Sequence, residues 1–275
     1  MKHITSRTNP LVARYRAVAN GGDRTRLLLD GIHLVSDALD AGLQVADAVV
    51  SLGAVDAPGL AALVDRLAAA GVEVCTAAPA VMAAVSPVRS ASPIVATAVR
   101  LDRPSTDVVH RPPELLVCAV DVQDPGNVGA IARVCEAGGA TALAVAGQSA
   151  DPFGWKALRG SMGSALRLPI VHPCDVTRLV ADARARGSRI VATVPRGGSR
   201  PEDTDLGRPS VILIGGEGPG LPPDLVAGAD VRVTIPMESP VESLNTAVCA
   251  ALLVYEAQRQ RRATAAAAVS VGRRW

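Results

Sequence analysis

Polar side chains crowd together between a short apolar strand and an apolar helix near the end of the chain. The predicted strand ends at Ile235 and Pro236, and the predicted helix runs from Leu244 to Tyr255. Ser243 is the expected N-cap, and the helix carries an apolar stripe of Leu244, Val248, Ala251 and Tyr255. The residues crowded at this junction are Met237, Glu238, Ser239, Glu242, Ser243 and Asn245, and all of them except Met237 are polar. Because free N–H groups at a helix start attract anionic or acceptor groups, this pattern predicts a ligand site.

A second cluster, residues 121–133, joins another apolar strand to another predicted helix. Asn127 is the expected N-cap, and the buried stripe comprises Val128, Ile131, Ala132 and Cys135. Arg133 lies about 140° around the helix from Val128, so it shares the open side with Gly129. Two interpretations stay open. Arg133 either serves a ligand beside the polar loop that precedes the helix, or it is an ordinary solvated arginine.

A third cluster is the glycine-rich run 215–221, with the sequence GGEGPGL after an apolar strand. Its spacing suggests a dinucleotide-binding loop, but Pro219, Pro222 and Pro223 and the missing acidic residue further on argue against it. One remaining interpretation is a tight strand exit with glycines at positive φ. The other is a loop whose backbone groups face a flat or polar ligand, with Glu217 near the reacting centre.

Alternating strands and helices must position these clusters, and hydrophobic periodicity predicts two α/β domains. Residues 1–100 form the first domain, and Asn9 and Pro10 mark the start of its first helix. Proline-bearing segments of low periodicity make residues 101–113 a linker. Residues 114–262 form the second domain with a parallel sheet, and residues 263–275 form a tail. All three clusters follow strands of the second sheet, where ligands of open α/β sheets bind.

The composition limits the classes of partner. Hydrophobic residues make up 49% of the chain, which is enough for buried cores, but the five aromatic residues make base stacking on aromatic platforms an unlikely binding mode. The net charge is only +2, yet Met1–Arg26 contains six basic residues and one acidic residue. Nucleic-acid contacts are therefore expected to be basic and directed at the backbone.

The cysteines and the apolar runs exclude other classes. The five cysteines are widely spaced without a C-x-x-C pair, so neither a zinc site nor a disulfide framework is predicted, and no metal is expected. Most of them have the surroundings of small buried hydrophobic residues. No apolar run reaches the ~18 residues that a membrane span needs, and no signal-type segment follows Met1. A cytoplasmic protein without membrane contact is therefore expected.

Taken in chain order, the three clusters resemble the three motifs of the SpoU (TrmH-type) branch of the SPOUT RNA methyltransferases. The matching positions are Asn127, Gly129 and Arg133, then residues 215–221, then Ile235, Pro236, Met237, Ser243, Leu244 and Asn245. Residues 156–163 also resemble that family's intermediate segment, and residues 6–11 resemble the start of its substrate-binding domain. The resemblance is strong over residues 115–258 and weaker before them.

The resemblance implies methyl transfer from S-adenosylmethionine to a ribose 2′-hydroxyl of RNA. The implied fold is α/β, with a trefoil-knotted SPOUT methyltransferase domain of parallel strands after a small αβ RNA-binding domain. The implied assembly is a homodimer with the site near the subunit interface. Ribosomal RNA is the favoured substrate over transfer RNA because the chain has a full N-terminal domain.

The resemblance also implies a role for each matching residue. Asn127 and Arg133 would serve the target nucleotide, while Glu217, Ser243 and Asn245 would shape the reacting site. The residues implied to hold the cofactor are Gly215, Gly216, Gly218, Leu221, Ile235, Met237, Ser243 and Leu244. Because a guanidinium stays protonated far above neutral pH, we expect Arg133 to bind phosphate and favour the developing 2′-alkoxide rather than accept a proton.

One departure from the family pattern bears on the cofactor. Residues 238–242 contain no glycine, whereas family members often carry one there, which puts the conformation of this loop and the cofactor affinity in question. Three alternatives remain: a transfer RNA 2′-O-methyltransferase, a methyltransferase that protects ribosomes from an antibiotic, and a non-catalytic RNA-binding protein of the same fold. The presence of all five candidate catalytic residues weighs against the last.

Overall fold

The computed structural model describes residues 1–100 and 115–272, with side-chain surroundings up to residue 266. These residues fall into two compact units. The first unit contains residues 1–100 together with Phe153–Arg167, and the second contains residues 115–152 and 168–272. The predicted linker, residues 101–113, lies outside the described residues.

A mixed sheet forms the centre of the first unit. Its strands are β1 (Lys2–Ile4), β2 (Arg26–Asp30), β3 (Val45–Ser51), β4 (Glu73–Ala77) and β5 (Ile94–Val99). Their order is β1-β4-β3-β5-β2, with β5 antiparallel to β2 and β3 and the other pairs parallel. The helices between them are α1 (Pro10–Ala19), α2 (Ile32–Asp40), α3 (Pro58–Ala69) and α4 (Pro79–Val85). The periodicity predicted all of these elements except β1, which has three residues, two of them exposed.

Helix α1 begins where its sequence predicts. The Asn9 side chain accepts a hydrogen bond from the Leu11 N–H at 2.9 Å, and Pro10 occupies the first turn, where a missing N–H costs nothing. The buried face is Val12, Tyr15 and Val18. Burial raises the pKa of the Tyr15 hydroxyl well above its ordinary value. That hydroxyl donates to main-chain carbonyls of β3 and β5, so it ties the helix to the sheet.

Two short helices of the first unit come from a distant part of the sequence. Helices α6 (Trp155–Ser161) and α7 (Ser164–Arg167) belong to the first unit, although the sequence analysis places them in a domain of residues 114–262. Trp155 packs against the first unit's core, α6 contacts β2, and Arg167 pairs with Asp37. Hydrophobic periodicity shows that a segment has an apolar face, but it does not show which sheet covers that face. The sequence order alone therefore assigned these two helices to the second domain instead of the first unit.

A parallel sheet forms the centre of the second unit. Its strands are β6 (Leu115–Val120), β7 (Ala142–Ala146), β8 (Ile170–Cys174), β9 (Arg189–Thr193), β10 (Ser210–Gly215) and β11 (Val231–Val233). They lie in the order β11-β9-β10-β6-β7-β8, and every pair is parallel. The helices are α5 (Pro125–Ala137), α8 (Val176–Ala185), α9 (Pro223–Ala227) and α10 (Thr246–Gly272), with a 3₁₀ turn at Pro201–Asp203. The prediction missed α9 and this turn, each of which has five residues or fewer.

The continuous apolar strands explain the core of the second unit. Strand β6 is buried along its whole length, and β7 beside it is also fully buried. Four of the five cysteines, Cys75, Cys118, Cys135 and Cys174, are buried thiols, as predicted. Burial raises the pKa of the Cys174 thiol to about 11. These cysteines therefore act as small apolar residues.

Helix α10 differs from its prediction at both ends and in its buried face. It begins at Thr246 and continues to Gly272, so the predicted tail, which starts at residue 263, is helical up to Gly272. Its buried residues are Ala247, Ala250, Leu253, Val254 and Ala257, whereas Val248, Leu252 and Tyr255 are 46%, 46% and 49% exposed. The stripe of Leu244, Val248, Ala251 and Tyr255 is therefore half-buried or exposed, and it is not the face that packs on the core of the second unit. The helix is apolar on two sides, and periodicity could not identify the one that packs on α5.

The contact between α5 and α10 leaves no room at Gly138, the C-cap of α5. A Cβ atom at Gly138 would lie 2.2 Å from Cγ1 of Val254. We expect Gly138→Ala to destabilise the protein by about 1–3 kcal/mol, since a β-branched side chain cannot move aside cheaply. Urea unfolding measures this change. The control is Gly59→Ala in α3, where no atom lies within 4 Å of the added methyl group; equal midpoints for the two variants would contradict the prediction.

Candidate functional site

A cavity of about 250 Å³ opens at the carboxyl ends of β9, β10 and β11. All eight residues predicted to hold a cofactor line it: Gly215, Gly216, Gly218, Leu221, Ile235, Met237, Ser243 and Leu244. Glu217 lines it as well. Other lining residues were not predicted from the sequence, and they include Thr193, Val194, Pro195, Val226, Thr246 and Cys249. The end of β9 could have been found from the rule that ligands bind at carboxyl ends of parallel strands, because residues 196–200 after it, RGGSR, are also polar and glycine-rich.

Glycine is required in the loop that follows β10. A Cβ atom at Gly215 would lie 2.3 Å from the carbonyl carbon of Gly220, and one at Gly216 would lie 1.9 Å from the Asp121 carbonyl oxygen. Gly218 and Gly220 have φ values of +90° and +69°. The tight strand exit and the ligand-facing loop, which the sequence left as alternatives, thus describe the same segment.

Asp121 holds the neighbouring crossover in place. Its φ is 57°, a conformation that residues other than glycine rarely adopt. Its Oδ1 atom accepts a hydrogen bond from the Gln148 N–H at 2.7 Å, and its carbonyl oxygen lies against Gly216. Strain of this kind persists only where the surroundings fix it. The ends of β6, β7 and β10 are therefore tied together beside the cavity.

Three of the predicted catalytic residues meet in one hydrogen-bonded cluster next to the glycine loop. Asn127 Nδ2 donates to Glu217 Oε1 at 2.7 Å, and Asn245 Nδ2 donates to Asn127 Oδ1 at 2.9 Å. Asn245 Nδ2 also lies 3.4 Å from Glu217 Oε1. These residues come from α5, from the loop after β10 and from the residue before α10, so the cluster joins segments that are far apart in sequence.

The hydrogen bonds of the cluster run in a fixed direction, because the partners of each asparagine determine which side its amide oxygen and its amino group occupy. Asn245 Oδ1 accepts from the N–H groups of Ala247 and Val248, at 2.9 and 3.3 Å, so it caps α10. Its amino group must then point towards Asn127, whose own amino group turns towards Glu217. Glu217 thus receives amide donors on Oε1, and its exposed side chain keeps Oε2 for a ligand.

Both predicted N-caps are wrong. Asp124 caps α5, and its Oδ1 accepts from the Asn127 N–H at 2.8 Å. Asn245 caps α10 in place of Ser243. Asn127 therefore lies inside the first turn with its side chain free to reach Glu217, and Ser243 is an exposed residue of the cavity wall.

Arg133 lies outside this cluster. It is exposed on α5, and it makes no hydrogen bond or ion pair with the part of the chain that the structure describes. Gly129, which was expected on the open side of the helix, is buried. Arg133 is thus an available cation on the same helix as Asn127, and the geometry leaves both of its interpretations open.

The cavity wall combines apolar side chains with unused main-chain donors. Leu221 is buried, and Ile235 and Leu244 are half-buried. Among the described residues, the N–H groups of Ile235, Met237 and Leu244 have no hydrogen-bond acceptor. A flat heteroaromatic ring with acceptor nitrogens would satisfy such donors while its faces contact the apolar side chains. Cys249, whose thiol pKa is raised by burial, closes one side.

Two other features are absent from the described residues. No group of three or more His, Cys, Asp or Glu side chains there has a metal-binding arrangement. No helix within residues 1–100 and 115–272 is long and apolar enough to cross a bilayer.

Comparison with known proteins gives a consistent picture. Residues 114–255 match the family model described as the SpoU rRNA methylase family. An uncharacterized tRNA/rRNA methyltransferase of Synechocystis sp. is 31% identical over 265 residues, which is 94% of each chain. RlmP of Bacillus subtilis, a 23S rRNA guanosine 2′-O-methyltransferase, is 28% identical over 93% of this chain and 98% of its own.

Solved structures extend the similarity to both units. An rRNA methyltransferase of Sinorhizobium meliloti with bound AdoMet has a TM-score of 0.84 at 30% identity, covering 94% of this chain and 97% of its own. The SpoU methyltransferase AviRb of Streptomyces viridochromogenes, also with AdoMet, has a TM-score of 0.82 at 28% identity. The latter match covers 92% of this chain and 98% of AviRb.

The two roles of Asn245 can be separated by substitution. We expect Asn245→Ala to lower stability by about 1 kcal/mol, because the first N–H groups of α10 lose their acceptor. Asn245→Ser should keep nearly the stability of the unchanged protein, since serine caps helices well but cannot donate across to Asn127. Thermal unfolding of both variants measures this difference. If both variants lost the same stability, the capping role would be refuted.

Proposed function

Because the chain belongs to the SpoU rRNA methylase family, we propose that it is an RNA 2′-O-ribose methyltransferase that uses S-adenosylmethionine. The observation that carries this proposal is the cluster of Asn127, Glu217 and Asn245 beside the glycine-lined cavity. It combines a site for a flat nucleoside with fixed polar groups for a second substrate. A binding module without catalysis would not need this fixed polarity.

The cavity fits the adenosine part of the cofactor. The unused N–H groups of Ile235, Met237 and Leu244 can donate to adenine nitrogens, and Leu221 can pack on the ring. Side chains are excluded at Gly215 and Gly216, so the ligand meets main chain there. When bound, the cofactor supplies an electrophilic methyl group on a cationic sulfur. We assign cofactor binding to the eight predicted lining residues together with the end of β9.

The polar residues would align the attacking ribose. Glu217, oriented by the two asparagine amides, can accept a hydrogen bond from a ribose hydroxyl through Oε2, and Ser243 can contact the same sugar. Correct alignment of nucleophile and methyl group supplies much of the rate in such a transfer. Arg133, always charged, would bind the target phosphate and stabilise the developing alkoxide. This role for Arg133 requires the RNA to span from the cluster to the exposed side of α5.

Ribosomal RNA is the proposed substrate. RlmP of Bacillus subtilis, a 23S rRNA guanosine 2′-O-methyltransferase, matches 93% of this chain, including the first unit. In that unit, Arg7 and Arg24 are exposed and have no ion pair among the described residues, whereas Arg14 and Arg26 are both paired with Asp47. Arg7 and Arg24 are therefore the proposed phosphate contacts. A ribosomal substrate also favours a cytoplasmic location.

Two further features of the family are proposed for this chain. The chain runs from β11 at the sheet edge to α10, which packs on α5 beside the central strand β6. Such a return across the carboxyl ends supports a trefoil knot. The exposed apolar face of α10 is formed by Val248, Leu252 and Tyr255. It supports a homodimer, because burying a contiguous apolar face against a partner removes it from water.

Methylation of RNA tests the proposed function directly. Ribosomal and transfer RNA from a deletion strain is incubated with the protein and S-adenosylmethionine, and mass spectrometry of nucleosides and fragments locates new 2′-O-methyl groups. We expect one position in ribosomal RNA to be methylated. Arg133→Ala should abolish turnover while calorimetry still detects cofactor binding, because Arg133 does not line the cavity.

The control is Arg178→Ala, which removes a cation that is 65% exposed on α8. It should keep full activity. Failure of the protein to bind S-adenosylmethionine would refute the enzyme proposal, and methylation of transfer RNA alone would refute the choice of substrate. Near-normal turnover by Arg133→Ala would refute the role of Arg133.

The dimer prediction concerns one face of α10. We expect the unchanged protein to sediment as a dimer, and Leu252→Glu to sediment as a monomer, because a buried charge without a partner is costly at an interface. Leu52→Glu is the matched control, since Leu52 is 51% exposed in the first unit. A monomeric unchanged protein, or a dimer that tolerates Leu252→Glu, would contradict the prediction.

A further inference from the structure

The first unit contains a cleft that the proposed methyl transfer does not use. Its volume is about 230 Å³, and its wall joins the start of α2 to α6 and the turn after α6. Residues 156–163, which resemble the family's intermediate segment, therefore line a cleft of the first unit. Its lining includes Asp30, Ile32, Ser92, Leu158, Arg159 and Met162, together with His33 and Asp37, of which Asp37 is paired with Arg167.

A buried carboxylate forms the floor of the cleft. The Asp30 side chain is 4% exposed, and its two oxygens accept hydrogen bonds from Ser86 at 2.9 Å and Ser92 at 3.0 Å. Each carboxylate oxygen can accept two hydrogen bonds, so each retains room for a further donor. The serines fix the orientation of Asp30, which therefore presents two acceptors side by side.

Arg159 lies beside this carboxylate but does not form a hydrogen bond with it. Its Nη1 atom lies 3.7 Å from Asp30, which is longer than a hydrogen bond, and its side chain is 57% exposed. The guanidinium therefore has free donors that can turn towards a ligand held by Asp30. A carboxylate and an arginine together offer both acceptors and donors to one planar group.

Apolar side chains complete the cleft. Ile32 is half-buried, Leu158 is buried and Met162 is 55% exposed. Met162 adopts φ 50°, which favours glycine, yet the chain places a large apolar side chain at this position. A thioether can pack on a flat ring.

We propose that this cleft binds an unstacked guanine of the RNA, an inference that rests on the proposed function. Guanine carries two adjacent donors, N1–H and the N2 amino group, which match the two oxygens of Asp30. The neighbouring edge of the base carries the acceptors O6 and N7, which match Arg159 beside Asp30. Adenine, cytosine and uracil each place an acceptor where guanine has one of these donors, so Asp30 repels them. Proteins commonly recognise RNA through single bases splayed out of the stack.

Nucleotide titration of the full chain tests the cleft. The probes are GMP, AMP, CMP, UMP and ribose 5-phosphate, with S-adenosylhomocysteine present to occupy the cofactor cavity. We expect GMP to bind about tenfold more tightly than the other probes, and Asp30→Asn and Arg159→Ala to weaken GMP binding about tenfold. Arg66→Ala is the control, because Arg66 is a 45% exposed arginine of the first unit that pairs with Asp40 outside the cleft.

Met162→Gly tests the cleft with a substitution that is expected to leave the protein folded. Glycine relieves the positive φ, so this variant should unfold at an unchanged or higher temperature while binding GMP several-fold more weakly. Equal binding of all five probes would overturn the guanine assignment, and GMP binding insensitive to all three cleft variants would overturn its location. These titrations need no methyl transfer. Lost methylation with an intact GMP preference would refute only the proposed reaction, and an active enzyme without that preference would refute only the cleft.

Discussion

The close approach of Gly216 to the Asp121 carbonyl is the constraint on which the second unit's site depends. No side chain fits between these two segments, so the loop after β10 must pass directly against the end of β6. This contact fixes where the loop turns and therefore where Glu217 emerges. A looser crossing would leave the cavity in place but would separate Glu217 from Asn127, and the polar cluster would lose its central acceptor.

The backbone constraint places Glu217 so that the hydrogen bonds of Asn127, Glu217 and Asn245 all run in one donor-to-acceptor direction. The chain of donors and acceptors begins at the first N–H groups of α10, passes through the two asparagine amides and ends on the Glu217 carboxylate. Each member can point in only one way because its neighbour is already assigned. Such preorganisation reduces the reorganisation that a reacting site would otherwise need. Stability and site geometry are coupled here, since the same residue caps a helix and orients the cluster.

Much of this arrangement could be predicted from sequence, and the failures have physical reasons. The parallel sheet and the three polar or glycine-rich clusters followed from the pattern of apolar strands, whereas the individual cavity-lining residues came from the resemblance to the SpoU motifs. The N-caps were misassigned because Asp124 and Asn127, or Ser243 and Asn245, are equally good cap residues, and only tertiary contacts choose between them. The buried side of α10 could not be predicted because both of its sides are apolar. The packing of Phe153–Arg167 depends on long-range contacts that periodicity does not report.

The placement of Phe153–Arg167 has a consequence for how this chain can be divided or evolve. The segment lies in sequence between β7 and β8 of the second unit but belongs to the first, so the chain passes between the units three times. Cutting the gene after residue 100 would not release an intact module, since β2 and the core around Trp155 would lose their cover. A lineage that lost the first unit would also have to change the residues between β7 and β8.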